Sequence, residues 1–472
     1  MLSLFLCIVA FAFSYAAGRR SLAAGLVTVM AVGYAYGILR ANVNEVYSHF
    51  IFDAAVVGLY LTQLGRRGAD AAARREYRAL ALWVGLLAGW PVLLFFVPMQ
   101  DYVVQFVGLR GNIFLLPFML LGARLTDRDA RQLALAFAAL NLVAFAFAGA
   151  EYLFGVERFY PYNAVTELIY RSAVDEDFTN PDRSTALRIP ATFTSAHAFA
   201  GTLVLTFPLI FALWTRRREL AGWRRHLLNA ALAASLLGVF MAAARSPVII
   251  LALLLATTVV VGRLRIQGWA LWLVMLAAIG WVVSSEGRLQ RFTSLGDVGV
   301  VSNRVYWSVN ENFLDMVVEY PMGNGLGGGG TSMPYFLQGR VVPPTIHMEN
   351  EYARIALEQG VFGLCLWLAF IAWVFGRGAV RRTDAWHLGR RLLWVACAAF
   401  FMTGMIGRGL LTSVPGTALM LLGIGWIAVR QPRARALPEP PAERAETAAP
   451  AARPSGALAG GPGLRNVGWG RR

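Results

Sequence analysis

Between Thr345 and Arg354 the chain reads Thr345-Ile346-His347-Met348-Glu349-Asn350-Glu351-Tyr352-Ala353-Arg354, just ahead of the apolar run 355–375. An imidazole, two carboxylates, an amide and a guanidinium thus gather at the edge of an apolar segment. Histidine titrates near neutral pH and suits proton removal from a hydroxyl; arginine suits an anion. A helix beginning by His347 would place Glu351, Arg354 and Glu358 on the histidine's face, where Glu351 could fix the imidazole tautomer.

Other arginines stand at comparable places. Arg110 precedes Gly111-Asn112 and then Ile113 to Gly122 without another charge, so it needs a partner, a water-filled cavity or a route to the headgroups; a ligand role and snorkelling fit equally. Arg188 leads Ile189-Pro190-Ala191-Thr192-Phe193, with Pro190 reading as a helix start, and a cation ahead of a helix N-terminus suits phosphate. Arg245 follows Ala242-Ala243-Ala244 and has no acidic neighbour in sequence, which favours an anionic ligand over a structural pairing. Arg304 sits beside an amphipathic stripe of Val305, Val309, Phe313, Met316, Val317 and Tyr320, expected to lie on the membrane face until Pro321 stops it. Gly323-Asn324-Gly325-Leu326-Gly327 and the glycines after it match G-x-G-x-x-G only formally, since no βαβ unit surrounds them; flexible closure over a site is the better reading. His197, early in an apolar helix, reads as a satisfied buried histidine, and His49, in a polar turn, as a solvated or interface residue.

The elements that must position these groups are membrane helices. Hydrophobic residues make up 57% of the chain and charged residues only 15%, a balance that a water-soluble surface does not accommodate. Apolar runs near the roughly 20 residues needed to cross a bilayer occur at 2–17, 21–39, 50–65, 79–97, 108–123, 132–155, 192–214, 227–243, 247–262, 266–283, 354–376, 392–407 and 410–429. The expected fold is an all-α polytopic membrane protein of about 13 transmembrane helices. All 43 basic residues are arginine, and strict alternation concentrates them on one side, so the positive-inside rule gives an N-out, C-in topology. The net charge of +16 is then mainly an orientation signal with attraction to anionic membrane lipids, and no nucleic-acid partner is expected. The resulting organisation is a transmembrane helical domain over 1–430, an outer loop at 156–191, a large outer loop with short helices at 284–346, and a disordered cytoplasmic tail at 431–472. Cys7, Cys365 and Cys397 all fall in spans and give neither a disulfide framework nor a metal spacing.

The order Arg188-Ile189-Pro190-Ala191-Thr192-Phe193, Ala244-Arg245-Ser246, Asn303-Arg304 with Trp307, Pro321-Met322-Gly323-Asn324-Gly325-Leu326-Gly327, and Glu349-Asn350-Glu351-Tyr352 running into Leu357-Glu358-Gln359-Gly360-Val361-Phe362-Gly363 resembles the O-antigen ligase and O-antigen polymerase superfamily. The resemblance runs from the fifth to the eleventh span, and its last block is the most specific. It implies an enzyme at the outer face of the bacterial inner membrane, without metal or other cofactor. Its donor would be an undecaprenyl-diphosphate-linked glycan, and its acceptor another glycan, lipid A core or a protein hydroxyl. It also implies that Arg188, Arg245 and Arg304 bind the diphosphate and that His347 acts on the acceptor; Glu351, Arg354, Asn350 and Arg110 are expected as support from the reading of the residues themselves.

One departure stands out. Relatives commonly carry His-Asn-x-Tyr or His-Asn-x-Phe in the last block, and aligning Asn350 and Tyr352 puts Glu349 in the histidine column. The base is therefore His347 through a two-residue shift, or Glu349 itself, or the site relies on its arginines; His347 is favoured. The rival class, a transporter or flippase of lipid-linked sugars, fits less well, because ionisable residues gather at helix ends instead of the midplane.

Overall fold

The structure is a computed structural model that describes residues 1–63, 71–167, 169–170, 188–262, 299, 302, 306, 313–330, 333–342, 350–377, 386–407 and 409–429. The expected span 266–283, the tail 431–472, and Arg304, His347 and Glu349 lie outside the described residues.

Among the described residues every regular element is helical. The chain opens with α1 (Leu2–Arg20), α2 (Leu22–Asn42), α3 (Ile51–Gln63), α4 (Ala71–Leu94), α5 (Tyr102–Ile113), α6 (Pro117–Gly122) and α7 (Asp127–Phe154). It continues with α8 (Ala196–Thr215), α9 (Gly222–Met241), α10 (Arg245–Gly262), α11 (Phe313–Glu319), α12 (Glu351–Gly376), α13 (His387–Thr403) and α14 (Gly416–Ala428). Seven helices among the described residues are long and apolar enough to cross a membrane, counting Tyr102–Gly122 as one, and Arg245–Val260 and Gly416–Ala428 are shorter apolar helices.

Small side chains let these helices approach closely, the usual device where lipid removes the hydrophobic drive between helices. Ser3, Ala10, Ser14 and Gly18 form the buried stripe of α1, which packs against α2 and α3. The helix α8 is buried along nearly its whole length and forms the centre of the body. A buried polar tie crosses four helices there: the Tyr34 hydroxyl donates to Asn141 Oδ1 at 2.6 Å, and Asn141 Nδ2 donates to Thr206 at 3.0 Å and Ser235 at 2.9 Å.

Three helix starts differ from the hydropathy reading. The fifth span begins at Tyr102, not near 108, because Asp101 caps it by accepting from Val103 N at 2.9 Å. It then breaks after Ile113 and resumes at Pro117. The seventh begins at Ala196, not Pro190, because Ser195 accepts from Ala198 N and caps the helix. The eleventh begins at Glu351, with Asn350 as its cap, its side-chain oxygen 2.6 Å from Ala353 N. Residue 347 therefore precedes the helix, and a shared helical face with Glu351 no longer follows.

Candidate functional site

One end of the helical body collects the polar chemistry. Ile38 N, near the end of α2, donates to Thr192 O at 3.1 Å, and Asn163 Nδ2 donates to Ala41 O at 3.0 Å. Gln100, between α4 and α5, donates to Asn324 O at 2.8 Å and accepts from Val342 N at 2.9 Å. Since α8 leaves this end and α9 returns to it, the turn before Arg245 lies there too; Ala242 and Ala244 share an apolar cluster with Ile189, Ala191 and Phe193.

The best-defined cluster joins α5, α12 and the glycine-rich segment. Arg354 is 1% exposed and lies between two carboxylates. Its Nε and Nη2 donate to Glu351 at 2.9 and 2.8 Å, and its Nη1 donates to Glu358 at 2.8 Å. Asn112, on α5, donates to Glu358 at 2.7 Å and accepts from Gln359 Nε2 at 2.8 Å. Glu351 also accepts from Gly409 N at 2.8 Å and Leu410 N at 3.2 Å, tying the start of α12 to the segment ahead of α14. Two of the support residues expected from sequence, Glu351 and Arg354, are thus brought together, with Asn350 capping their helix. Both Glu351 oxygens serve this buried network, which does not support the tautomer-fixing role expected for it.

The glycines are not a flexible flap. Gly325 to Gly329 are buried, and the segment replaces part of the helix it meets. At Gly360 the backbone leaves helical geometry (φ 70°, ψ −179°), in a region essentially reserved to glycine. The helical bond from Val361 N to Leu357 O is lost, and Val361 N instead donates to Pro321 O at 3.0 Å, while Leu357 O accepts from Asn324 N at 2.6 Å. Trp90 Nε1 donates to the Gln359 carbonyl at 2.7 Å. On the other side Gly108 of α5 meets the loop backbone to backbone; a Cβ there would lie 2.3 Å from Gly327 N. Close packing accounts for the glycine run.

Arg188 sits ahead of a strained and clamped turn. Ala191 has φ 51°, a left-handed conformation costly for a residue with a Cβ. Glu151, fully buried at the end of α7, accepts from Ala191 N at 2.9 Å, and the Tyr160 hydroxyl reaches both Ala191 O and Phe193 O at 2.7 Å. From this fixed turn Arg188 Nη1 comes within 3.5 Å of His197 Nδ1. Contrary to the sequence reading, His197 is exposed, because the late helix start leaves it in the first turn of α8. Arg245 opens α10, two residues after Ala243, which also has positive φ (49°). Neither Arg188 nor Arg245 stands without a partner, so the expectation that Arg245 waits unpaired for a ligand is set aside.

Arg110 lies eight residues into α5, about 12 Å from its start at 1.5 Å per residue. Its cost at that depth is met by Asp53 on α3: Nε and Nη2 donate to the carboxylate at 2.6 and 2.5 Å. His49, read as a solvated or interface residue, is 7% exposed, which removes the solvated alternative.

Sequence reasoning missed Asp53, Asn112, Gln359, Glu151 and Tyr160. Glu151 offered a signal, a carboxylate ending an apolar span; Asn112 offered another, beside Arg110. The others gain meaning only from tertiary contact.

These features define a helical, multi-pass membrane protein with a buried charged network and clamped arginine-bearing turns at one end. Residues 230–368 match the family described as O-antigen ligase, which supports the O-antigen ligase and polymerase superfamily. The match includes Arg245, Arg304, His347, Glu349 and the Arg354 network, and ends before Arg188 and Arg110 are reached on its N-terminal side. No curated protein matches the chain.

Proposed function

We propose that the chain is a membrane glycosyltransferase that moves a glycan from an undecaprenyl-diphosphate carrier to an acceptor hydroxyl at the outer face of the inner membrane. In this reading the body has about 13 spans in an N-out, C-in arrangement, as the charge distribution suggests. The observation that carries the proposal is the convergence of Arg188, Arg245 and the Glu351–Arg354–Glu358 network at one end of a chain whose residues 230–368 match the O-antigen ligase family.

The chemistry needs little more. The acceptor oxygen attacks the sugar carbon that bears the diphosphate, and the bond from that carbon to the diphosphate oxygen breaks with inversion. The electron pair leaves with the lipid diphosphate, whose charge Arg188, Arg245 and Arg304 neutralise. The acceptor proton passes to His347, or to Glu349. The buried network would hold α5, α12 and the loop before residue 343 in register. Arg110 supports the same end through Asp53.

The test is complementation of a deletion strain, scoring glycan chain length and glycan attachment separately, with Arg188→Ala, Arg245→Ala, Arg304→Ala, His347→Ala and Glu349→Ala. Loss of elongation identifies a polymerase, and loss of attachment with intact chains identifies a ligase. Full activity in both His347→Ala and Glu349→Ala would remove the catalytic role of that segment.

A further inference from the structure

One imidazole at the arginine-bearing end takes no part in the transfer as described so far. His197 is the second residue of α8, and from Ala196 to Trp214 it alone is exposed. The helix is packed by α7, α9, α10, α13 and α14, so this exposure opens at the end of the body and not sideways into lipid. Ala196 and Ala198, on either side of His197, share an apolar cluster with Ile189, Ala191 and Phe193 of the Arg188 turn and with Ala242 and Ala244 ahead of Arg245. The ring therefore stands where both arginine turns meet the start of α8.

Contact with Arg188 decides which chemistry the ring offers. Arg188 Nη1 lies 3.5 Å from His197 Nδ1. A guanidinium carries five N–H donors and no acceptor, so a hydrogen bond between the two requires the lone pair of Nδ1. A neutral imidazole with its lone pair at Nδ1 carries its proton at Nε2, on the far side of the ring. Both ends of the pair are held by rigid structure. Glu151 and Tyr160 clamp the turn that carries Arg188, and Ser195, accepting from Ala198 N at 3.2 Å, caps the helix that carries His197. A cation and a neutral N–H donor thus stand side by side, the complement of a phosphate with several acceptor oxygens.

We propose that His197 is a further substrate-binding residue of the transfer reaction: with Nδ1 held by Arg188, its Nε2–H donates to a diphosphate oxygen of the lipid-linked donor and keeps that bond as the diphosphate leaves. This role rests on the glycan-transfer reading. The bonds that form and break are those already given, and His197 neither gains nor loses a proton in the step; it shares with Arg188 the negative charge that develops on the leaving group.

The test uses the full chain, labelled with 15N-histidine, in micelles with farnesyl diphosphate as a soluble lipid diphosphate, alongside reconstituted glycan transfer. The His197 resonances, assigned by their absence in His197→Gln, should show the proton at Nε2, and farnesyl diphosphate should move the Nε2 signal saturably. His197→Ala should weaken farnesyl diphosphate binding and slow transfer about tenfold or more, the size of one hydrogen bond to a charged group, at an unchanged thermal midpoint. His197→Gln, which keeps an acceptor and an N–H donor, should recover part of that loss. In an Arg188→Ala background the tautomer preference should disappear, and His197→Ala should cost less binding than it does alone. A proton at Nδ1, strict additivity with Arg188→Ala, or unchanged binding and transfer in His197→Ala while the wild type transfers glycan would remove the His197 role and leave the transfer reading standing. Should His197→Ala not fold, the tautomer and its response to farnesyl diphosphate in the wild type still decide. A folded wild-type chain that transfers no glycan removes both.

Discussion

Arg354→Met tests whether the network at the start of α12 is an ion-pair device. The guanidinium is 1% exposed and makes ion pairs of 2.8 Å to each of two carboxylates that are themselves 1% and 0% exposed. Methionine fills similar volume but leaves Glu351 and Glu358 facing each other without a cation. Removing one partner from a buried ion pair costs about 3–5 kcal/mol; here Glu351 keeps its bonds from Gly409 and Leu410, and Glu358 keeps Asn112, which favours the lower part of that range. Adding Glu358→Gln removes one stranded charge, so the double variant should be more stable than Arg354→Met alone. The assay is reversible unfolding in mixed micelles followed by tryptophan fluorescence, arranged as a double-mutant cycle. A loss below about 1 kcal/mol for Arg354→Met, or strict additivity with Glu358→Gln, would refute the reasoning.

Three more outcomes are expected. Gly360→Ala forces a side chain into a glycine-only region with its Cβ 2.7 Å from Pro321 O; about 3 kcal/mol or more should be lost, together with protection of Val361 N and Asn324 N in hydrogen exchange. Glu151→Ala strands the buried Ala191 N–H and should lose about 1–3 kcal/mol, whereas Glu151→Gln keeps an acceptor and should lose little; equal losses in thermal denaturation would argue against the clamp. The folded His49 imidazole stays neutral down to about 3 while the unfolded one takes a proton near 6.5. Between those values the unfolded chain binds more protons, so this contribution to stability is present above 6.5 and is lost as pH falls. His49→Gln should flatten that part of a stability-against-pH curve.

The membrane helices were legible because burial in lipid needs only long apolar runs, and most expected spans in the described residues reappear as helices. Their ends were less legible, since Asp101, Ser195 and Asn350 decide them through side-chain caps that hydropathy does not register. The Glu351, Arg354 and Glu358 cluster could be read from spacing, as i+3 and i+4 neighbours on one helix. Its completion by Asn112, 246 residues away from Glu358, could not. Pairing of Arg110 with Asp53 was hidden for the same reason: sequence shows that a buried arginine needs a partner but not which acid folds against it. The glycine run was misjudged because glycine serves mobility and close backbone approach alike, and only the contacts with Gly108 and the break at Gly360 decide between them.

The most direct measurement of the central claim is reconstituted transfer: purified chain in liposomes, supplied with an undecaprenyl-diphosphate-linked glycan and an acceptor, with release of the lipid diphosphate and gain of acceptor mass both recorded. We expect transfer with one diphosphate released per glycan moved, and losses of at least about a hundredfold in Arg188→Ala and Arg245→Ala, the size of removing one charge-stabilising donor from a reacting centre. Absence of transfer by the folded wild-type chain across glycan, lipid A core and protein acceptors, or unchanged rates in both arginine variants, would contradict it.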